Sequence, residues 1–228
     1  MLKRLPEQGG LFLWRLQNID MKKIILTIAA IILAASVLEA RGLNLTAGYN
    51  TVFEKATSGA GARSTDVFNG FHVGVGYTFR EIFGDHGNIA TGLQYVGLFG
   101  KSNEYSEILK VKGQEVDSYL QLPVRFSYLF DTEKCDYFLF AGPKFLFGMK
   151  SEFRTDDVKF NWYAREMEHS YSRFNLMLGI GAGMYIGEHF RMAIGYDWGV
   201  LNRYKGELKS NNYKLYQSML TVNVAMCF

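Results

Sequence analysis

Eight times between residues 43 and 228 the chain alternates large apolar side chains with small or polar ones, one residue at a time. The runs are 43–53, 67–80, 89–99, 118–130, 137–149, 174–186, 190–201 and 214–228. A period of two puts successive side chains on opposite faces of a strand. Leu43, Leu45, Ala47 and Tyr49 face away from Asn44, Thr46, Gly48 and Asn50. Phe174, Leu176, Leu178 and Ile180 face away from Asn175, Gly179, Gly181 and Gly183. Every run reaches the length of about 9–11 residues that carries a tilted strand across a bilayer.

The second face decides between rival β folds. In a soluble sandwich the outer face is charged. Here it is mostly Gly, Asn, Gln and Thr, and the chain holds 24 Gly but only 3 Pro. Gly weakens an ordinary strand, yet it suits strands crowded around a narrow closed barrel. In lipid only a closed barrel leaves no unpaired strand edge. Eight strands is the smallest common size, with an interior filled by side chains. The gaps between runs point the same way. Those at 81–88, 131–136 and 187–189 are short, and those at 54–66, 101–117, 150–173 and 202–213 are long and polar. Short periplasmic turns alternating with long outward loops are a feature of outer-membrane barrels. Aromatic residues at the run ends (Tyr77, Phe79, Phe99, Tyr128, Phe130, Tyr137, Phe190 and Trp198) suit interfacial girdles. The expected fold is all-β: an eight-stranded antiparallel transmembrane up-and-down β-barrel over 41–228. A soluble lipocalin-like barrel, apolar inside and polar outside, is the rival; the loop asymmetry and the terminal Phe228 favour the membrane.

Residues 21–40 read as a secretory signal peptide: Lys22 and Lys23, an apolar run from Ile24 to Ala35, then small residues up to Ala40. Pro6, Gly9 and Gly10 make 1–20 an odd preface to such a signal, and translation is expected to begin at Met21, with 1–20 a mis-called extension. Residues 41–228 carry 20 basic and 19 acidic residues, a balance that gives no reason to expect nucleic acid as a partner. The expected location is the outer membrane.

Two stretches carry a resemblance. Tyr119-Leu-Gln-Leu-Pro-Val-Arg-Phe-Ser-Tyr128 is followed, after a short turn, by Phe138-Leu-Phe-Ala-Gly-Pro-Lys-Phe145. With the Gly-rich run 175–183 and Gly195-Tyr-Asp-Trp-Gly-Val-Leu-Asn202, this resembles the PorT-like outer-membrane β-barrel family. The resemblance implies the architecture of the small OmpX, OmpW and OmpA barrels. It also implies a link to the protein secretion system of Bacteroidetes with which the family's namesake is associated. Its motifs are packing and turn residues, and they imply no catalytic set.

Several polar residues fall in the alternation where they point into the lumen: His72, Arg80, Gln94, Gln121, Arg125, Lys144, Arg191 and Asp197. Charges at membrane depth are expensive unless they face the interior and pair. A structural polar network is the expected reading. A narrow path for ions or small hydrophobic molecules is the alternative, and the excess of bases would favour anions. In the longest loop Phe153, Phe160, Trp162, Tyr163, His169 and Tyr171 form a candidate binding surface, with a cover packed over the barrel mouth equally open. Glu168, His169 and Ser170 have the residue types of a lipid-modifying barrel enzyme, but adjacent residues rarely converge on one atom, so a non-enzymatic barrel is expected. No HExxH, paired CxxC, Walker-type or dinucleotide motif is present, and no cofactor or metal is expected. Cys135 and Cys227 fall on opposite sides of an eight-strand barrel, too far apart for a disulfide. Partners are expected to be outer-membrane lipid, the barrel-assembly machinery reading the last strand and Phe228, and a protein that the sequence does not identify.

Overall fold

A computed structural model describes residues 42–102, 113–132, 135–154, 159–163, 171–187, 189–205, 209 and 211–228. The leader expected at 1–40 lies outside them. The strands are β1 (Leu43–Thr57), β2 (Arg63–Phe79), β3 (Gly87–Ser102), β4 (Gly113–Phe130), β5 (Asp136–Arg154), β6 (Lys159–Asn161), β7 (Phe174–Ile186), β8 (Phe190–Gly199) and β9 (Lys214–Cys227). Apart from the short β6, each pairs antiparallel with the next, and β9 pairs back onto β1 from Asn44↔Cys227 to Thr57↔Lys214. Eight strands therefore close an antiparallel up-and-down barrel with no free edge. β6 is an addition from the longest loop, paired on the outer end of β5 through Glu152↔Asn161 and Arg154↔Lys159. Among the described residues no helix is long and apolar enough to cross a membrane.

The side chains decide between the two barrel types. The apolar face points outward: Phe71 is 65 % exposed and Val73 61 %, and Leu93, Leu139, Ile180, Ile194, Val222 and Val224 are exposed with them. The polar and glycine face points inward. A lipocalin-like barrel has the reverse arrangement and is excluded. Exposed aromatics ring the belt at both ends, Phe79, Tyr128, Phe130, Tyr137 and Phe190 near the short turns, and Phe99, Phe147, Phe174 and Trp198 near the loops.

The strands are longer than the alternation implies. β2, β4 and β5 have 17, 18 and 19 residues, against the about 10 that cross a bilayer. The gap expected to be a long loop at 54–66 is instead a continued hairpin, with Glu54↔Asp66, Lys55↔Thr65, Ala56↔Ser64 and Thr57↔Arg63 paired and only 58–62 turning. In the same way 113–117 belongs to β4 and 150–154 to β5. Above the belt the outward positions become polar (Lys55, Arg63, Thr65), so the apolar–polar contrast vanishes while the backbone ladder continues. A register shift at Ser118/Tyr119 resets the pairing of β4 and β5 at that height.

The glycines of β7 and β8 have a packing role. A Cβ on Gly183 would lie 2.3 Å from the Phe138 ring, and one on Gly181 2.2 Å from the Phe140 ring. Both rings point inward from β5, and the missing side chains opposite hold their volume.

Candidate functional site in the barrel interior

From the turn end upward the interior has three parts: a polar vestibule, an apolar layer, and an acidic cluster under the loops. The vestibule is built around Asp197 on β8, which is buried. Its Oδ2 lies 2.6 Å from Lys144 Nζ, and its Oδ1 accepts from Arg125 Nη2. A Cβ on Gly179 would sit 2.0 Å from Asp197 Oδ1, so that glycine makes the carboxylate's place. Arg125 also donates to the Gly142 carbonyl. Gln121 donates to Gln94, and Gln94 Nε2 to Thr46 Oγ1 at 3.1 Å. Asn50 lies 3.1 Å from His72 Nδ1 and accepts from Thr221 Oγ1 at 3.1 Å. Arg191 stands nearest the turns, its Nη1 3.4 Å from Thr78 Oγ1.

Seven of the eight residues expected in the lumen, His72, Gln94, Gln121, Arg125, Lys144, Arg191 and Asp197, are thus placed inside. Arg80 is not. β2 ends at Phe79, and Glu81 takes a left-handed φ of 59°, which turns the chain so that Arg80 is exposed. Below the apolar layer the interior holds a cavity of about 90 Å³, lined by Arg125, Lys144, Arg191, Asp197, Phe138 and Phe140 among others.

The apolar layer comes next. Val52, Phe68, Val96, Leu98, Tyr119, Leu146, Met177 and Met219 form one cluster in which every member is 1 % exposed or less. They come from β1, β2, β3, β4, β5, β7 and β9, so the layer crosses the whole bore.

Above it lie Glu54, Asp66, Glu115 and Asp117, all at or near full burial, with Arg203 from the β8–β9 connection. Arg203 Nη1 is 2.6 Å from Glu54 Oε1, its Nη2 donates to Tyr163 Oη at 3.1 Å, and its guanidinium lies over the Tyr119 ring. Tyr119 Oη donates to Asp117 at 2.7 Å, and Gln217 donates to Glu54. Burial pushes the Tyr163 phenol above its ordinary range, against the pull of Arg203, so the loop residue is a neutral hydroxyl. The expected loop positions concealed this cluster. Its signal was nonetheless present: Asn50, Val52 and Glu54, like Asp66, Phe68 and Gly70, keep the inward register once the two-residue period is carried past the apolar belt.

Of the two readings left open for the loop aromatics, the described ones fit the cover, being largely buried. Phe153 lies on β5, buried and paired with Glu115 of β4. Trp162 and Tyr163 are buried, and Tyr171 packs on Ala56, Tyr204 and Leu215, its ring 4.9 Å from that of Trp162. They cover the barrel mouth, held there in part by Arg173 Nη2, which donates to the Tyr163 carbonyl at 3.0 Å. Phe160 lies in β6, its side chain outside the described residues; His169 is outside them too. Cys135 and Cys227 are both free thiols. Phe228 directly follows β9. Among the described residues no cluster of three or more His, Cys, Asp or Glu could hold a metal ion.

The family model for the outer membrane protein beta-barrel domain matches residues 24–228. Similar solved structures include Neisserial surface protein A, at 13 % identity and TM-score 0.49 over 82 % of this chain and 97 % of that one. Ail, the attachment invasion locus protein of Yersinia pestis, is 11 % identical at TM-score 0.43 over 82 % and 99 %. The outer membrane enzyme PagL is 12 % identical at TM-score 0.33 over 76 % and 97 %. No curated protein has a sequence that matches this chain.

Proposed function

We propose that this chain, which belongs to the outer membrane protein beta-barrel domain family, is a non-enzymatic, non-conducting barrel serving as a structural or assembly component of the outer membrane. Its outer-membrane location follows from the family. The observation that carries the rest is the apolar layer: eight side chains, none more than 1 % exposed, spanning the bore between vestibule and loops. A hydrated ion would have to shed its water to cross such a layer, and interiors this tightly packed leave no room for it. The loop-end cluster and the covering aromatics close the same end a second time.

The PorT-like motifs at 119–128, 138–145, 175–183 and 195–202 support a role in a secretion-related assembly, with the turns between strands facing the periplasm. Export through the signal at 21–40 belongs to the same reading. The test is single-channel recording in a planar bilayer. The refolded barrel is expected to give no resolved conductance steps. Reproducible ohmic steps from pure protein would overturn the non-conducting reading and favour the narrow channel. A mild-detergent pull-down of the tagged protein addresses the assembly: a stoichiometric partner is expected, and a clean monomer would refute that half.

A further inference from the structure

The vestibule has a charge imbalance that its internal bonds leave over. Its wall carries three cations, Arg125, Lys144 and Arg191, and one carboxylate, Asp197. Asp197 is engaged by Arg125 and Lys144 together. Arg191 is left without a carboxylate among the described residues. Among the described residues its one side-chain hydrogen bond is long, 3.4 Å to Thr78 Oγ1, and its buried Nε meets no partner. A guanidinium with free donors in a concave, partly dry site pairs with a carboxylate or phosphate oxygen.

The rest of the wall narrows the choice. Arg191 lies 5.9 Å over the Phe138 ring and Arg125 5.6 Å over the Phe140 ring, and both rings, seated against the glycines of β7, line the same space. Arg191 is the cation of this wall that no carboxylate among the described residues engages, and beside two aromatic rings it suits a carboxylate carried on an apolar body. The apolar layer above makes the vestibule blind at that end.

We propose that this vestibule is a binding site for a small organic monocarboxylate that enters from the turn end. The carboxylate pairs with Arg191, and the apolar body lies against Phe138 and Phe140. The site needs neither a catalytic group nor a conducting bore.

The test uses 4-fluorobenzoate as the probe, followed by ¹⁹F line broadening with the full barrel in non-ionic detergent. Saturable broadening is expected, reversed by hexanoate at lower concentration than by inorganic phosphate. Arg191→Gln is expected to weaken binding at least tenfold, and Lys55→Gln, an exposed cation at the loop end, to leave it unchanged. Heat-dependent gel mobility reports whether each variant is folded. Phe138→Leu keeps every charge and is expected to weaken the probe several-fold, so the proposal stays testable if Arg191→Gln does not fold. Four results would overturn it: no saturable broadening, equal affinity in folded Arg191→Gln, an unchanged midpoint in Phe138→Leu, or equal binding of neutral 4-fluorobenzyl alcohol. Phosphate displacing the probe as well as hexanoate does would overturn the choice of an organic carboxylate.

Discussion

Asp197→Asn removes one charge and almost no volume from the middle of the lumen. Lys144 is 4 % and Asp197 2 % exposed, with 2.6 Å between them. With Asn at 197, Lys144 keeps a neutral amide oxygen, Thr221 Oγ1 at 3.4 Å and the Met219 sulfur at 3.5 Å, none of them a counter-charge for an ammonium. It would also face Arg125 with no counter-charge between them. Removing one member of a buried pair costs about 3–5 kcal/mol, because the other charge is left uncompensated. Arg125 retains the Gly142 carbonyl and is 12 % exposed, so solvent relieves part of the cost. The lower end of the range, about 3 kcal/mol, is expected. The assay is reversible unfolding in guanidinium with the barrel in lipid, read by heat-dependent gel mobility and by tryptophan fluorescence. Lys144→Met alone should cost less, since Asp197 would keep Arg125. In the double variant the costs should not add, with a coupling of at least about 1.5 kcal/mol. A cost for Asp197→Asn below about 0.5 kcal/mol, within the range of an ordinary surface change, or strictly additive costs, would refute the argument that Asp197 holds the lumen cations.

Val73→Arg puts a charge on the most exposed part of the apolar belt and is expected to destabilise the barrel in lipid by about 2–4 kcal/mol; an effect near zero would show that this face does not meet hydrocarbon. Arg203→Met leaves Glu54 with Gln217 and deprives the Tyr163 hydroxyl of its donor. Faster amide exchange is expected in 200–205 and 159–163, with that of the turn-end residues unchanged, and Arg203→Lys should recover part of the protection because it restores the charge but not the two-pronged contact.

How much of this was legible depends on what each position contrasts with. The belt was legible because Val73 and Val75 alternate with Gly74 and Gly76, and lipid outside with crowding inside imposes that difference on every strand. Lys144 and Asp197 were legible for the same reason: a charge within an apolar run must turn inward. Arg80 shows where that reasoning stops, since one left-handed residue at Glu81 sends a charge next to the run out to water. Above the belt the rule has nothing to act on. Lys55 can face water and Glu54 the interior, and both are simply polar letters, so the acidic cluster was assigned to loops. Phe138 and Phe140 show the converse failure: large residues on the inner face, tolerated only because glycines two strands of sequence away stand opposite. Such compensation is a property of closure and of register, which no single strand carries.

The three-part interior also gives the molecule a direction. The loop end is closed three times, by the apolar layer, by Arg203 binding Glu54 and Tyr163, and by Trp162 and Tyr171 packed at the mouth. Among the described residues the turn end has no comparable closure; there Arg191 and two inward rings line a cavity of about 90 Å³. A barrel whose only task was to fill its own lumen would gain by packing both halves alike, since every unfilled volume forfeits contact energy. Sealing one half and leaving a charged, aromatic-walled recess in the other makes the two faces chemically different. With the loop end closed by the described residues, a molecule of the proposed class would reach this interior from the side of the short turns.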